Sequence, residues 1–455
     1  MADFPLQLSI KKTWPGRSTE SVTCNALLRT VPGTREVYDA LWNGREVIVK
    51  VFSNKIRAKN HLNREWKGLL MLQERGVNAP TPLFYGQTEN GQWAVVLEKI
   101  TNAPIALDIF IQAQKPVEKL DLLLPICREL AGQHEKAVAQ KDLHLGNFLM
   151  AENKVFSLDP GQMKFFSKPL SRKKSFSQLA SLARYLPEND TEAIGKLCEE
   201  YAGARNWSFE RSDELLFRKQ LSAHEKRGIR RGLKKCLRTS KRHLRIKKGP
   251  AAGIFERGFC KEAEMLDFME QADALMDKGK IVKDGNTCYL SRVGWAGKDV
   301  VVKQYKHKGF IHSLRQTIKR SRARHGWLHG HRLGMLNIAT PRPLAYFEKR
   351  KWSLVWKSYL VTEYVEGQKL YYFLRDTNVT KQQQSTLTMH IGELLAKLEK
   401  HRISHGDLKH SNILVTDTGP VLTDLDAMKA HRFDLIFRLY RKKDRAQFTE
   451  FLSND

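Results

Sequence analysis

Absences narrow this 455-residue chain before any motif does. No stretch approaches the roughly 18 consecutive apolar residues that a membrane-spanning helix needs. The opening residues, Met1-Ala-Asp-Phe-Pro-Leu-Gln-Leu-Ser-Ile-Lys-Lys12, lack a charged start followed by an apolar core, so no secretory signal is expected. The six cysteines (Cys24, Cys127, Cys198, Cys236, Cys260 and Cys288) form no C-x-x-C pair and read as ordinary reduced thiols of a cytoplasmic protein. Acidic residues are scarce: 49 Asp+Glu against 78 Lys+Arg leave a net charge of +29. Such a surface seeks polyanions, whether nucleic acid, an anionic membrane face or a phosphorylated substrate. No RNA- or DNA-reading motif accompanies the charge, so nucleic acid ranks last. What the chain does have is a hydrophobic content of 41%, enough for real cores, and length for about two or three domains.

The most informative stretch occurs twice. Lys141-Asp-Leu-His-Leu-Gly-Asn147 is followed by Phe156-Ser-Leu-Asp159-Pro-Gly, and His405-Gly-Asp-Leu-Lys-His-Ser-Asn412 by Thr423-Asp-Leu-Asp426. Asp142 to Asn147 and Asp407 to Asn412 are both 5 positions; Asp142 to Asp159 and Asp407 to Asp424 are both 17. Identical internal spacing marks an internal duplication. Phosphoryl transfer of the kinase type needs this set. Asp142 or Asp407 accepts the proton of an attacking hydroxyl, while Asn147 with Asp159, or Asn412 with Asp424, holds Mg²⁺ against nucleotide phosphates.

Upstream of each loop the plan repeats. Residues 1–52 alternate apolar runs with the turn signals Val31-Pro-Gly-Thr and Trp42-Asn-Gly-Arg, which predicts an antiparallel sheet. It ends in Glu46-Val-Ile-Val-Lys50-Val-Phe, where a lysine inside an apolar strand needs a counter-charge or an anion. Glu65, on a segment with helical spacing of Leu62, Trp66, Leu69 and Leu70, is its natural partner. Trp93-Ala-Val-Val-Leu-Glu98 reads as a buried strand leading to a hinge between lobes. A helical region around Leu120–Ala139 leads to the Asp142 loop, and two helices, Phe176–Tyr185 and Glu192–Tyr201, close the first unit. In the second half, Asp299-Val-Val-Val-Lys303 and Tyr359-Leu-Val-Thr-Glu363 match the Lys50 and Glu98 strands. Glu98 to Asp142 and Glu363 to Asp407 are both 44 positions. Lys50 to Glu98 is 48 and Lys303 to Glu363 is 60, so 12 extra residues fall in the second small lobe, within the basic Lys306–Arg332 region. Between the halves, residues 218–248 hold 14 Lys+Arg and the single acidic Glu225. Ile229, Leu233 and Leu237 recur there every four positions, a basic amphipathic helix suited to an anionic membrane face, a phosphorylated substrate or plain solvation. Gly249-Pro-Ala-Ala-Gly253 is the plainest break in the chain.

Lysine, helix glutamate, hinge, Asp…Asn and metal Asp in this order resemble the protein-kinase-like fold. The loop wording, the Leu-Asp-Pro and Asp-Leu-Asp segments, Thr340-Pro-Arg-Pro343 and the basic charge resemble the bacterial lipopolysaccharide core (heptose/Kdo) kinase family, whose fold is similar to that of RIO-type kinases. The resemblance covers nearly the whole chain as two tandem copies. It implies an α+β architecture of two bilobal kinase-like domains, at 1–215 and 251–455, joined by a basic helical linker at 216–250. It further implies ATP and Mg²⁺ as cofactors, Lys50, Glu65, Glu98, Lys303 and Glu363 at the nucleotide, and a heptose of the lipopolysaccharide inner core as acceptor. The anionic glycolipid or core oligosaccharide would lie at the cytoplasmic surface of the inner membrane, which makes the expected enzyme cytoplasmic and membrane-peripheral. An atypical protein Ser/Thr/Tyr kinase and a tandem pseudokinase scaffold are the alternatives.

Four departures stand out. Neither unit has a G-x-G-x-x-G loop, so clamping of phosphates falls to a shorter hairpin near Gly33 or Gly285. Gln140 occupies the place of the usual loop histidine in the first unit. No acidic residue lies between Tyr305 and Phe347, so Lys303 has no helix partner in the sequence, and only 31 residues follow Asp424.

Overall fold

The computed structural model describes residues 4–53, 56–152, 154–187, 190–306 and 320–449. Helices and strands are mixed throughout, and the chain divides into two compact units, Met1–Lys226 and Arg227–Asp455.

In the first unit six antiparallel strands close into a barrel. The order is Leu6–Trp14, Thr19–Val31, Arg35–Trp42, Arg45–Phe52, Trp93–Glu98 and Pro82–Thr88, with the last pairing back to the first through Ile10 and Thr88. Alternation fills the interior: Ile10, Val22, Cys24, Ala40, Val47, Val49 and Val96 form one core, as period-2 patterning requires. The Trp42-Asn-Gly-Arg signal produces a two-residue hairpin with Asn43 and Gly44 left-handed (φ 49° and 76°), the geometry of a type I′ turn. Helix Ala58–Glu74 lays Leu62, Trp66 and Leu69 against this sheet. Each such buried side chain contributes about 1.5–3 kcal/mol. A helical layer follows, in which Pro116–Glu135, Arg172–Ala183 and Thr191–Ala204 surround Leu123, Ile126, Leu130, Phe176, Leu197 and Tyr201. The helix expected around Leu120–Ala139 stops at Glu135; Ala137 turns left-handed (φ 59°) and Val138–Gln140 becomes a short strand paired with Met163–Phe165.

The second unit has an open sheet of seven antiparallel strands. Its order is His243–Lys248, Ala251–Glu256, Pro343–Lys351, Leu354–Glu363, Lys298–Tyr305, Cys288–Trp295 and Lys280–Asp284. Helix Glu262–Lys278 covers one face with Met265, Phe268, Met269 and Ala272, and helix Arg322–Met335 lies near the lysine strand. A third core gathers Leu387, Ile391, Leu394 and Leu398 of helix Lys381–Lys400 around Leu408, Ile413 and Leu422.

The middle of the chain is organised otherwise than 216–250 as a linker and Gly249–Gly253 as a break. Helix Arg211–Lys235 begins in the first unit, where Phe217 is buried in the helical core. Its later turns belong to the second unit, where Ile229 packs against the third core, which also holds Leu333 and Ile391; Leu237, just past the helix, lies in the cluster around Trp327. Two of the three residues of the apolar stripe in this basic segment, Ile229 and Leu237, are therefore directed at protein. Gly249-Pro250 is a tight hairpin, with Gly249 left-handed (φ 55°), joining the sheet's edge strand to the buried strand Ala251–Glu256. Turn residues are the same whether a chain changes domain or doubles back. Of the basic Lys306–Arg332 region, in which the extra small-lobe residues are expected, 307–319 lie outside the described residues.

Candidate active site

The two loops fold alike down to single hydrogen bonds. In the first unit the Asn147 side chain donates from Nδ2 to the Asp142 carbonyl (2.8 Å), and the Leu158 amide donates to the Asn147 carbonyl (2.8 Å). In the second, Asn412 Nδ2 donates to the Asp407 carbonyl (2.9 Å) and the Thr423 amide to the Asn412 carbonyl (2.9 Å). With Nδ2 committed, the amide oxygen is the atom each asparagine can offer a cation. Asp159 and Asp424 are both left-handed (φ 60°, ψ 51° and φ 59°, ψ 56°), each opening a 3₁₀ turn. Aspartate tolerates this conformation better than most residues, and strain of this kind is concentrated at functional positions. An amide oxygen beside a carboxylate is a hard-oxygen donor set that fits Mg²⁺.

Register also agrees. Val47 faces Glu98 and Lys50 faces Val95 across one strand pair; Val300 faces Glu363 and Lys303 faces Leu360 across the other. Trp42-Asn-Gly-Arg45 has its counterpart in Trp295-Ala-Gly-Lys298, again a two-residue turn with both central residues left-handed. Each lysine is thus five residues beyond the last residue of the same turn pattern. Glu98 and Glu363 both end their strands, and their amides donate to the Thr81 and Arg342 carbonyls.

The charges around the lysines differ. Lys50 pairs with Glu65, and both are buried. Asp159 is held instead by Arg35, at the start of the strand after the Val31-Pro-Gly-Thr turn, through two parallel bonds of 2.9 and 3.3 Å. Burial works against an ionised Asp159, but Arg35 outweighs it and keeps the carboxyl below its ordinary pKa. Gly68 lets helix Ala58–Glu74 approach the turn after Asp159: a Cβ there would sit 2.7 Å from the Pro160 carbonyl oxygen.

Lys303 is not without a partner. It pairs with Asp424 and, at 3.1 Å, with Asp426, and Asp426 also binds Arg322 at the start of helix Arg322–Met335. That helix carries no acid for Lys303 because it supplies the opposite charge. Position 426 corresponds to Gly161, each two residues beyond the left-handed aspartate, and a Cβ on Gly161 would lie 3.2 Å from Glu65 Oε2. The same spot therefore receives its carboxylate from the helix in one unit and from the turn in the other. Burial and the Asp426 carboxylate push Asp424 up to about 6 despite Lys303. Asp426 is buried too, yet Asp424, Lys303 and Arg322 hold it well below the usual range.

Around the proposed bases, Asp142 is largely exposed, with His144 Nε2 3.8 Å away. Asp407 is bound by Lys409 (2.8 Å) and by Asn412 Nδ2 (3.2 Å). His405 donates from Nε2 to the Thr423 carbonyl (3.0 Å), anchoring the loop to the neighbour of Asp424. Gln140 makes no such bond; its side chain turns to Gln133 (3.1 Å) and Ser157 (3.3 Å). Asp444, on helix Asp434–Thr449, accepts the amides of His405 (2.7 Å) and Gly406 (2.8 Å). Gly406 is left-handed (φ 82°), and a Cβ there would meet the Ala427 carbonyl oxygen at 2.6 Å. In the first unit Gln178 braces the loop, accepting the Gln140 amide (3.1 Å) and donating to its carbonyl (2.6 Å). Sequence reasoning missed Arg35, Arg322, Asp444 and Gln178, and took Asp426 only as the end of the Asp-Leu-Asp segment, with no role of its own. Of these Asp444 does carry a signal, as a lone acid among Arg438, Arg441, Lys442, Lys443 and Arg445.

These features coincide with a relationship in sequence. Residues 272–446 match the lipopolysaccharide kinase (Kdo/WaaP) family. The matched segment contains Lys303, Asp407, Asn412 and Asp424, the residues from which kinase-type chemistry is expected in the second unit. A curated relative, the EKC/KEOPS complex subunit BUD32 of Debaryomyces hansenii, is 28% identical over 161 residues, 34% of this chain. The chain spans 60% of that relative's length. Among solved structures, vaccinia related kinase 3 aligns over 50% of this chain and 92% of its own, at 12% identity and a TM-score of 0.32. No helix among the described residues is long and apolar enough to cross a membrane.

Proposed function

We propose that the chain is an ATP-dependent phosphotransferase with two tandem kinase-like domains, whose second domain phosphorylates a sugar, a heptose, of the lipopolysaccharide inner core. The observation that carries the reading is the coincidence of the family match at 272–446 with the Lys303, Asp407, Asn412 and Asp424 constellation. Lys303 binds the nucleotide phosphates, Glu363 lies at the hinge edge of the nucleotide site, and Asp407 accepts the proton of the sugar hydroxyl. Asn412 and Asp424 would hold Mg²⁺, which would supply positive charge at the nucleotide phosphates. Asp444 and His405 fix the loop so that Asp407 is positioned before substrate arrives. The acceptor is itself anionic, which suits a chain of net charge +29 and an association with the cytoplasmic face of the inner membrane. A concavity of about 450 Å³ on the Glu65 helix, lined by Arg57, Asn60, His61, Asn63, Arg64 and Lys67, offers further cationic surface.

The first domain has Lys50, Glu65, Asp142, Asn147 and Asp159, but Arg35 occupies the carboxylate that would hold the metal. That clamp favours a domain that positions substrate and does not turn over. Transfer of labelled phosphate from ATP to purified core oligosaccharide tests the proposal. Failure of the wild-type chain, under conditions where another core kinase works, removes it, and label on protein substrates alone would support an atypical protein kinase.

A further inference from the structure

In the second unit, away from the loop carrying Asp407 and Asp424, Cys236, His243 and His331 each direct one ligand atom into a common space, all within 4.8 Å of one another. The three residues are at most 7% exposed. They come from separate elements: Cys236 just past helix Arg211–Lys235, His243 at the start of the sheet's edge strand, His331 on helix Arg322–Met335. Both histidines leave Nε2 buried without a hydrogen-bond partner. An unsatisfied buried nitrogen costs about 1–3 kcal/mol, so two at one point call for a ligand. The Trp327 ring walls the space, 4.2 Å from His331 and 5.6 Å from His243 between centroids, and its Nε1 donates to the Cys236 carbonyl (3.0 Å). Glu256 Oε1 lies 3.9 Å from His243 Nε2, at hand as a fourth oxygen donor.

We propose that Cys236, His243 and His331 form a binding site for one Zn²⁺ ion. One thiolate and two neutral imidazoles are a borderline-soft set that suits zinc and is unsuited to Mg²⁺. Donors around tetrahedral zinc stand roughly 3.5 Å apart, so small side-chain rotations close the present spacing. Coordination replaces the Cys236 S–H bond by S–Zn and releases one proton to solvent. The ion ties together three elements, among them the helix whose first residue, Arg322, holds Asp426. The site is independent of what the enzyme phosphorylates.

The test is titration of the full-length, chelator-treated chain with Co²⁺ alone, followed by Zn²⁺. We expect one equivalent of Co²⁺ with thiolate-to-cobalt charge-transfer absorption and tetrahedral d–d bands, displacement by Zn²⁺, and a Tm raised by several degrees. Cys236→Ser should abolish the charge-transfer band, and Cys260→Ser should retain it. A folded wild-type chain without that band, or a band that survives Cys236→Ser, overturns the site. Should Cys236→Ser fail to fold, alkylation of the wild type in urea just below its unfolding midpoint decides. Zn²⁺ must then protect the peptide containing Cys236, and equal labelling with and without Zn²⁺ refutes the assignment.

Discussion

The two units meet one electrostatic requirement by opposite routes. A buried ammonium near the left-handed aspartate needs a second acid. The first unit places it on the helix, as Glu65; the second places it on the turn, as Asp426, and puts the cation Arg322 on the helix. What both preserve is a charge-paired contact between lysine strand and its surroundings, with the sign carried by the helix exchanged. The exchange moves the competition for the metal aspartate. In the first unit an arginine from the hairpin holds Asp159; in the second the lysine itself holds Asp424.

The sharpest way to break this comparison is to remove each proposed base. Asp407→Ala should reduce phosphate transfer to core oligosaccharide by about 10²–10⁴-fold, the range for general-base loss, while Asp142→Ala stays within about tenfold of wild type. Equal losses would make both domains catalytic. Next comes Asp426→Ala, which leaves Lys303 with one acid and Arg322 without its Asp426 partner. It should cost about 3 kcal/mol, read as a lower midpoint in denaturant, because a buried charge loses its partner. A third variant, Arg35→Gln, frees Asp159. The Asp159 pKa should rise toward its ordinary value, and the MgATP-dependent thermal shift of an Asp407→Ala, Asp424→Ala background should increase.

Acidity should separate the units without mutation. Asp424, raised to about 6, is ionised above that pH and protonated below it, so Mg²⁺ binding at the second site weakens as pH falls through about 6. Asp159 is lowered and keeps its charge over the same range. Mn²⁺ relaxation measured between pH 7 and 5 on single-site variants would show the difference; parallel curves would refute it. The smallest effect is expected for Gln140→His, which offers the first loop the anchor that His405 makes but gives up bonds to Gln133 and Ser157. A net change within about 1 kcal/mol in denaturant stability should result.

Much of the site is legible because its chemistry is local in sequence. Asp…Asn at five positions and the metal aspartate at seventeen lie on one loop and hairpin, and the lysine strands carry their own turn signals. The strands around Lys50 and Lys303 are likewise plain from alternation. What escapes is long-range. Arg35 meets Asp159 across 124 residues, Arg322 meets Asp426 across 104, and Asp444 reaches back to His405 across 39. None of these pairs has a spacing that a sequence pattern could register. The middle of the chain misleads for a different reason: Gly249-Pro250 is a turn, and only the pairing of Ala251–Glu256 on both sides shows that it stays within one sheet.

Closing the first sheet and leaving the second open has a consequence for behaviour in crowded solution. A rolled sheet has no rim, whereas the open one runs out at one end into Lys280–Asp284, whose five residues are all exposed. Unpaired amides along such a rim can template another chain, and Lys280, Lys283 and Asp284 oppose that approach by keeping it charged and hydrated. Those three side chains guard the second unit against intermolecular strand addition, a hazard from which the first is spared by its geometry alone.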